Sequence, residues 1–581
     1  MNRGGGKLSG ICKFHPQSPY WSYVGWQAPG EGLVESLGRA NSLLLNEMRK
    51  SIFRTLLAFF AFALFSVPLW ANEIQIVSLS IASINSLNQY AEVAVDVRWD
   101  NSWDDGINHD AAWIFLKYRR VGTTTAWGHA TLNPTGHTLP SNGLVETSPD
   151  GKGVFLRRNS LGGGYVSFGG MRLRWNFGAD GLTSLDSVDL KAFALEMVYV
   201  PQGSFFVGDG QTNYQEVYGN FEDGLTGLPL AITSEDSLTL GGINAGSLGN
   251  NQRINQYANG GGGLTFDCSN DGCLGGSGDD FNGSMEQTLP AAFPKGFNGF
   301  YCMKYELTQQ QYVDMLNCLT LTQQSTYLDQ TSNFYIQGTF LDNRYGITET
   351  AGVYSTATPH VPMIFMDWIK GATFADWAAL RPMTELEFEK ACRGMDNPVL
   401  NEYAWGNASL DLFDDFTLLN VDQDNEGIDQ GFNTNGSIGN CWIRTGGQTM
   451  PNLARVGIFA AYPQNFNRVT SGATVWGIME MSGMAWERAV SVGHPEGRKY
   501  TGLHGDGNLS PNGYADVNQW PGSFSGSTVE SNVGVGYRGG GLAYPNPNLE
   551  HNARVSSRRV ASAYWNTVIN DDGGRFVRSA N

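Results

Sequence analysis

Six of the seven cysteines, with Cys12 set aside in the expected leader, a run of acidic residues and a few histidines are where this chain could do chemistry. Cys268, Cys273, Cys302, Cys318, Cys392 and Cys441 form an even set, open to up to three disulfides in about 15 connectivities. The segment Asp267-Cys-Ser-Asn-Asp-Gly-Cys273 makes Cys268 and Cys273 the easiest pair, stapling a Gly-rich loop. Zinc is disfavoured there, since no His or second close Cys pair is near. Cys302, Cys318 and Cys392 lie in apolar segments, where a buried thiol is the simpler reading. Asp422-Gln-Asp-Asn-Glu-Gly427 offers oxygens at alternate positions before a Gly, as calcium loops do; the other reading is a solvated acidic turn. It is no EF-hand, because Asn433 stands at position 12. Glu385, Glu387 and Glu389 could do acid–base work. The preferred reading puts Glu385 and Glu387 at the positive end of a helix, with Glu389 facing solvent. His504-Gly-Asp-Gly-Asn508 and Trp520-Pro-Gly522 are Gly-rich turns expected on the face of the C-terminal loops. No Walker lysine follows, so they are not a phosphate cradle.

The elements that must hold these residues fall into two regions. Residues 72–195 read as an all-β sandwich. Val93, Val95, Val97 and Trp99 alternate with Glu92, Ala94, Asp96 and Arg98, the period of a half-buried strand. Trp113–Arg119, Val154–Arg158, Tyr165–Phe168, Met171–Phe177 and Val188–Leu195 read as further strands. Turn clusters at Asp100–Gly106 and Gly162–Gly164 separate them. Residues 196–581 mix short helices with loops, with a Gly/Asn-rich insertion at about 210–287 expected as a long surface loop. Thr308-Gln-Gln-Gln311 and Thr384-Glu-Leu-Glu387 are capping boxes that open two of the helices.

Six motifs carry a family resemblance. They are Met197–Gly208, Met303-Lys-Tyr-Glu-Leu-Thr-Gln-Gln-Gln-Tyr312, Arg381-Pro-Met-Thr-Glu-Leu-Glu-Phe-Glu-Lys-Ala-Cys-Arg-Gly394, Tyr403-Ala-Trp-Gly406, Gly477–Glu487 and Arg538-Gly-Gly540. In that order they resemble the formylglycine-generating enzyme, or sulfatase-modifying factor, family. The resemblance implies a C-type-lectin-like domain rich in irregular loops over that span, so that with the N-terminal sandwich the fold class is α+β. It also implies a copper-binding cysteine pair between the "RGG" motif and the C-terminus. Leu542 to Asn581 contains no cysteine, and Cu(I) needs soft ligands, so no copper and no formylglycine generation are expected. His360, His494, His504 and His551 lack the i, i+4 pairing of the three-His iron site of related sulfoxide synthases. Calcium is the cofactor the resemblance favours, through Asn420, Val421, Asp422, Asp424 and Glu487, although Met484 stands where the family loop has Asn.

The expected working surface is the C-terminal stretch. Tyr537, Arg538, Leu542, Tyr544, Asn546, Asn548, Ser556, Tyr564, Trp565, Asn566 and Asn570 combine rigid aromatic contacts with adaptable hydrogen bonds, as paratopes do. This layout also resembles variable proteins diversified by retroelements. The reading is a non-catalytic binder of an extracellular protein or glycan. The alternatives are a family enzyme with an altered site, through Glu487, His504 and Arg538, or a structural component of a cell-envelope assembly.

Composition sets the frame. Gly is 74 of 581 residues, against roughly 7 % in an average globular chain, and 16 Trp are present. Abundant apolar side chains exclude disorder for the bulk, and the glycines follow no collagen period. The net charge of −18 argues against nucleic acid. Met48 to Ala71 reads as a signal peptide: basic Arg49, Lys50 and Arg54, an apolar run Leu56–Leu69, then a cut after Ala71. Residues 1–47 read as a mis-assigned start or a disordered leader. The chain from Asn72, secreted, periplasmic or at the cell surface, then carries 30 Lys/Arg against 52 Asp/Glu, with no membrane anchor.

Overall fold

The computed structural model describes residues 74–211, 220–241, 244–250, 287–327, 344–412, 416–443, 453–462, 467–524, 528–542, 549–561 and 571–581, all in one compact unit. The expected leader and signal peptide lie outside the described residues. Eight strands open the chain: β1 (Gln75–Asn85), β2 (Tyr90–Asp104), β3 (Asp110–Arg120), β4 (Gly128–His129), β5 (Gly143–Thr147), β6 (Val154–Arg158), β7 (Gly162–Trp175) and β8 (Val188–Val200). β1, β2 and β7 form one antiparallel sheet. Leu79, Val93, Val95, Val97, Trp99 and Phe168 on it pack against Ile114, Leu116, Val154 and Leu156 on the second sheet. The alternation in β2 is read as the sequence predicts, with every second side chain buried.

The second sheet does not stop at the expected boundary. Its order runs Arg381–Pro382, Phe576–Ser579, Phe300–Met303, β8, β3, β6, β5. Residue 195 falls inside β8, whose Met197–Val200 end pairs with Met303–Phe300. The physical reason is a sheet buried on both faces. Ala112, Ile114 and Leu116 of β3 point into the sandwich core, while Ala111, Trp113 and Phe115 point into a core shared with Trp368, Phe374 and Trp377. Such a strand reads as a continuous apolar run, and it ties the two regions together.

Two local expectations are corrected. Gly162 to Gly164 is not a turn: these glycines pair with Asp104, Trp103 and Ser102, and positive φ at Gly162 and Gly164 gives β7 an irregular end. The insertion is not all surface loop. Phe221–Asp223, Leu248–Asn250, Leu238–Leu240 and Gln287–Leu289 form a small sheet with Phe221, Leu240, Leu248 and Leu289 buried. Its residues 251–286, including Cys268 and Cys273, lie outside the described residues.

Both capping boxes are present. Thr308 caps the helix Gln309–Leu316 and Thr384 caps Glu385–Arg393, with reciprocal side-chain bonds to residue N3 in each. Among the described residues no helix is long and apolar enough to cross a membrane.

Candidate functional site: a buried ion-pair frame

The Thr384 cap fixes where the Glu385–Arg393 helix begins, so Glu385, Glu389 and Arg393 fall at i, i+4 and i+8 on one face. That face is buried, not solvated. Glu389 is fully buried, which corrects the expectation that it faces solvent. Arg538, on the strand Val535–Arg538, donates from Nη1 to Glu385 Oε2 and from Nη2 to Glu389 Oε1, each at 2.9 Å. Arg558 adds two bonds to Glu385 at 2.8 and 3.1 Å. Arg393 reaches Glu389 at 3.1 Å, the Ser556 hydroxyl at 2.8 Å, and Glu402. Burial alone would raise the Glu385 carboxyl; the Arg558 and Arg538 guanidiniums outweigh it and hold it below its ordinary value.

A second cluster surrounds Arg575. It donates to Glu487 Oε1 at 2.7 Å and to the carbonyls of Met303 and Met479 at 2.9 and 2.7 Å. Glu306 and Glu480 stand close enough to feel the same charges, and one oxygen of each of Glu306, Glu480 and Glu487 has no hydrogen-bond partner. Burial pushes all three carboxyls up, Glu480 to about 7.

The predicted C-terminal contacts divide into two groups. Tyr537, Arg538, Leu542 and Ser556 are buried at 0–3 % exposure, so none of them presents a side chain to a ligand. Tyr537 donates to Asp572 at 2.9 Å and accepts from Arg488. Leu542, where the family has Trp, packs with Phe365 and Trp442. These residues are a frame, because their motif must saturate buried charges. Tyr544, Asn546, Asn548, Tyr564, Trp565, Asn566 and Asn570 lie outside the described residues. The frame flanks them: residues 535–542, 550–561 and 571–578 are buried apart from Glu550 and Arg559, which are half-buried.

The calcium set does not converge. Asn420 has φ 51 and donates to the Asn425 carbonyl at 3.4 Å, Val421 is exposed, and Asp422 has φ 64. Asp422 accepts from Arg344 at 2.9 Å, and Glu426 takes the same guanidinium with both oxygens. Asp424 is half-exposed, 3.4 Å from His360. The positive charge a cation would bring to this turn is already supplied by Arg344, and Glu487 is held by Arg575. The donor set therefore does not fit calcium. Met484 sits in the family's Asn position with φ 69, a setting that suits Asn or Gly better. Among the described residues, the trio of His, Cys, Asp or Glu side chains close enough to share a cation is Asp376, Asp506 and Asp516, elsewhere in the fold.

Copper fares no better. Cys302, Cys318, Cys392 and Cys441 are free, buried thiols, and burial raises each, Cys302 to about 12. None is a thiolate at neutral pH, and none lies in the stretch after Arg538. Glu487 and Arg538 are cross-strand neighbours, yet their side chains pair with different partners. His504 accepts from the Ser579 amide at 3.0 Å, and the Gly-rich turns pack against the helix Trp368–Trp377: Gly505 donates to Leu380, and Trp368 donates to Pro521. Glu487, His504 and Arg538 are thus each held by a partner outside the three.

The sequence motifs gave no sign of Arg393, Glu402, Arg558 or Arg575 as partners. The available signal was the presence of charges inside otherwise apolar motifs of a chain with only 16 % charged residues. A comparison with curated proteins finds no match. The model of the sulfatase-modifying factor enzyme 1-like domain matches residues 275–567, just over half of the chain. That span takes in the Thr308 and Thr384 helices, Arg538 and Arg558, so the chain belongs to the sulfatase-modifying factor family.

Proposed function

We propose that the protein is exported and binds an extracellular protein or glycan without catalysis, through the side chains of residues 543–548 and 562–570. The sequence there reads Ala-Tyr-Pro-Asn-Pro-Asn and Ser-Ala-Tyr-Trp-Asn-Thr-Val-Ile-Asn. The observation that carries this reading is the saturated frame around them. Arg538 and Arg558 are paired with Glu385 and Glu389 inside the fold, and the described residues on either side of both segments are buried apart from the half-buried Glu550. A rigid frame bearing Tyr, Trp and Asn suits recognition, since less freedom is lost on binding. The lack of a cysteine after Cys441 supports the absence of the family's oxidase step. Resemblance of this layout to retroelement-diversified proteins fits a surface that varies while its frame is kept. Neither calcium nor copper enters the reading.

The test is a glycan and protein array probed with the chain from Asn72, alongside a cysteine-containing sulfatase peptide incubated with the protein and Cu(I). A ligand on the array with no change of peptide mass is expected. Conversion of the peptide cysteine with no array ligand establishes the rival, an altered family enzyme.

A further inference from the structure

Leu503 to Val517 runs as a strap over the C-terminal end of the helix Trp368–Trp377, where Asp376 is fully buried. Three strap amides donate to that one residue. Asp506 and Asp516 give theirs to its two carboxyl oxygens at 3.0 and 3.1 Å, and Gly507 to its carbonyl at 3.1 Å. The contact admits no side chain. A Cβ on Gly505 would stand 2.4 Å from the Asp376 Cα, and one on Gly507, at φ 85, would meet the His129 ring at 1.9 Å. From the other side Lys117 of β3, also fully buried, donates to the Gly507 carbonyl. The strap therefore covers both an acid and an amine, and only its removal returns them to water.

We propose that Asp376 is a proton-operated latch, which holds the strap down when protonated and lets it lift when ionised. The exposed Asp506 and Asp516 bring their carboxyl oxygens to within 4.8 Å of one another and of that of Asp376. An ionised Asp376 is then a third negative charge in a space closed to water. Burial, with the Asp506 and Asp516 carboxylates beside it, pushes the Asp376 carboxyl up to about 8 against the pull of the two amides. The buried amine that faces the group is Lys117. Burial brings it down to about 7, with Lys152 adding to that and Cys318, Asp376 and Asp506 opposing it. The cation is thus lost as the third anion appears. His129, across from Lys117 on β4, is kept neutral by burial and by Lys117, and Arg578 is taken by Asp150 and the Ala379 carbonyl.

The sign follows from the proton. The closed strap keeps one that a solvated Asp376 releases above its ordinary value of 3.8. Closure is at full strength below about pH 3.8 and weakens by up to about tenfold per pH unit until Asp376 ionises near pH 8. Beyond the latch, Ser510 accepts from Gln323 at 3.0 Å, and Leu509, Pro511 and Asn512 wall an open cavity of about 1140 Å³, which a lifted strap enlarges.

Hydrogen exchange in the chain from Asn72, followed between pH 5 and pH 9 and corrected for the intrinsic rate, tests this. Protection of residues 503–517 should fall at least tenfold from pH 6 to pH 8, without a parallel fall in the helix Glu385–Arg393. Asp376→Asn keeps one acceptor and removes the proton, so its strap protection should not vary with pH. Asp506→Asn with Asp516→Asn, both exposed, relieves the repulsion and should leave the strap at least tenfold better protected than the wild type at pH 8. Glu480→Gln should leave the fall unaltered, which separates the latch from the other raised carboxyl. The proposal is overturned if wild-type strap protection does not fall, if the helix Glu385–Arg393 falls with it, or if Asp376→Asn keeps the same slope. A double variant no better protected than the wild type at pH 8, or loss of the fall in Glu480→Gln, overturns it equally.

Discussion

Arg538 shows how charge is used in this protein. Its guanidinium is fully buried between Glu385 and Glu389, so with Arg558 and Arg393 it shares in neutralising two buried carboxylates. Arg538→Met leaves those carboxylates short of partners and should cost about 3–5 kcal/mol, read from the midpoint of chemical denaturation. Glu480 is the opposite case. Its carboxyl is raised to about 7 by burial, so the folded state holds a proton that the unfolded chain releases above its ordinary value of 4.5. That contribution to stability is complete below about pH 4.5 and is lost as pH rises through 7. Glu480→Gln keeps an oxygen for the Gly457 amide and removes the titration. It should gain on the wild type, on the order of 2 kcal/mol by pH 8, with little gain at pH 4.5. A melting-temperature difference that stays flat between these pH values contradicts the assignment. Neither the Arg538 pairing nor the Glu480 proton was legible in the sequence. Glu385 meets Arg558 across 173 positions, and no local pattern records such a partner.

What is local in the chain was legible at the scale of elements. Thr384 and Glu387 are three residues apart and bond each other's backbone, so a four-residue pattern was enough to place the helix start. The alternation in β2 likewise marks a strand with one wet face. β3 and β8 were found as strands but misread as the edge of a separate domain. A run such as Ala111-Ala-Trp-Ile-Phe-Leu116 does not say whether one face or both are covered. The structure makes a direct prediction from this. A fragment ending at residue 195 would expose Trp113, Phe115 and Phe193 on one sheet face, an apolar patch on the order of several hundred Å². It should aggregate or resist cooperative melting, whereas the chain from Asn72 to Asn581 should melt cooperatively. A soluble, cooperatively melting fragment would show that the sandwich folds alone.

For the whole molecule, a family scaffold carries a charged interior, and its described cysteines are buried within it. The matched span carries the Glu385–Arg538–Arg558 frame, while every described cysteine is buried and raised. A sheet joins both halves of the described chain. We propose that the two segments flanked by the frame serve binding. Surface plasmon resonance of an array-identified ligand against the chain from Asn72 and its Tyr544→Ala, Trp565→Ala variant tests it most directly. At least a tenfold loss of affinity with an unchanged melting temperature is expected; equal affinity in the folded variant contradicts a binding role for these segments.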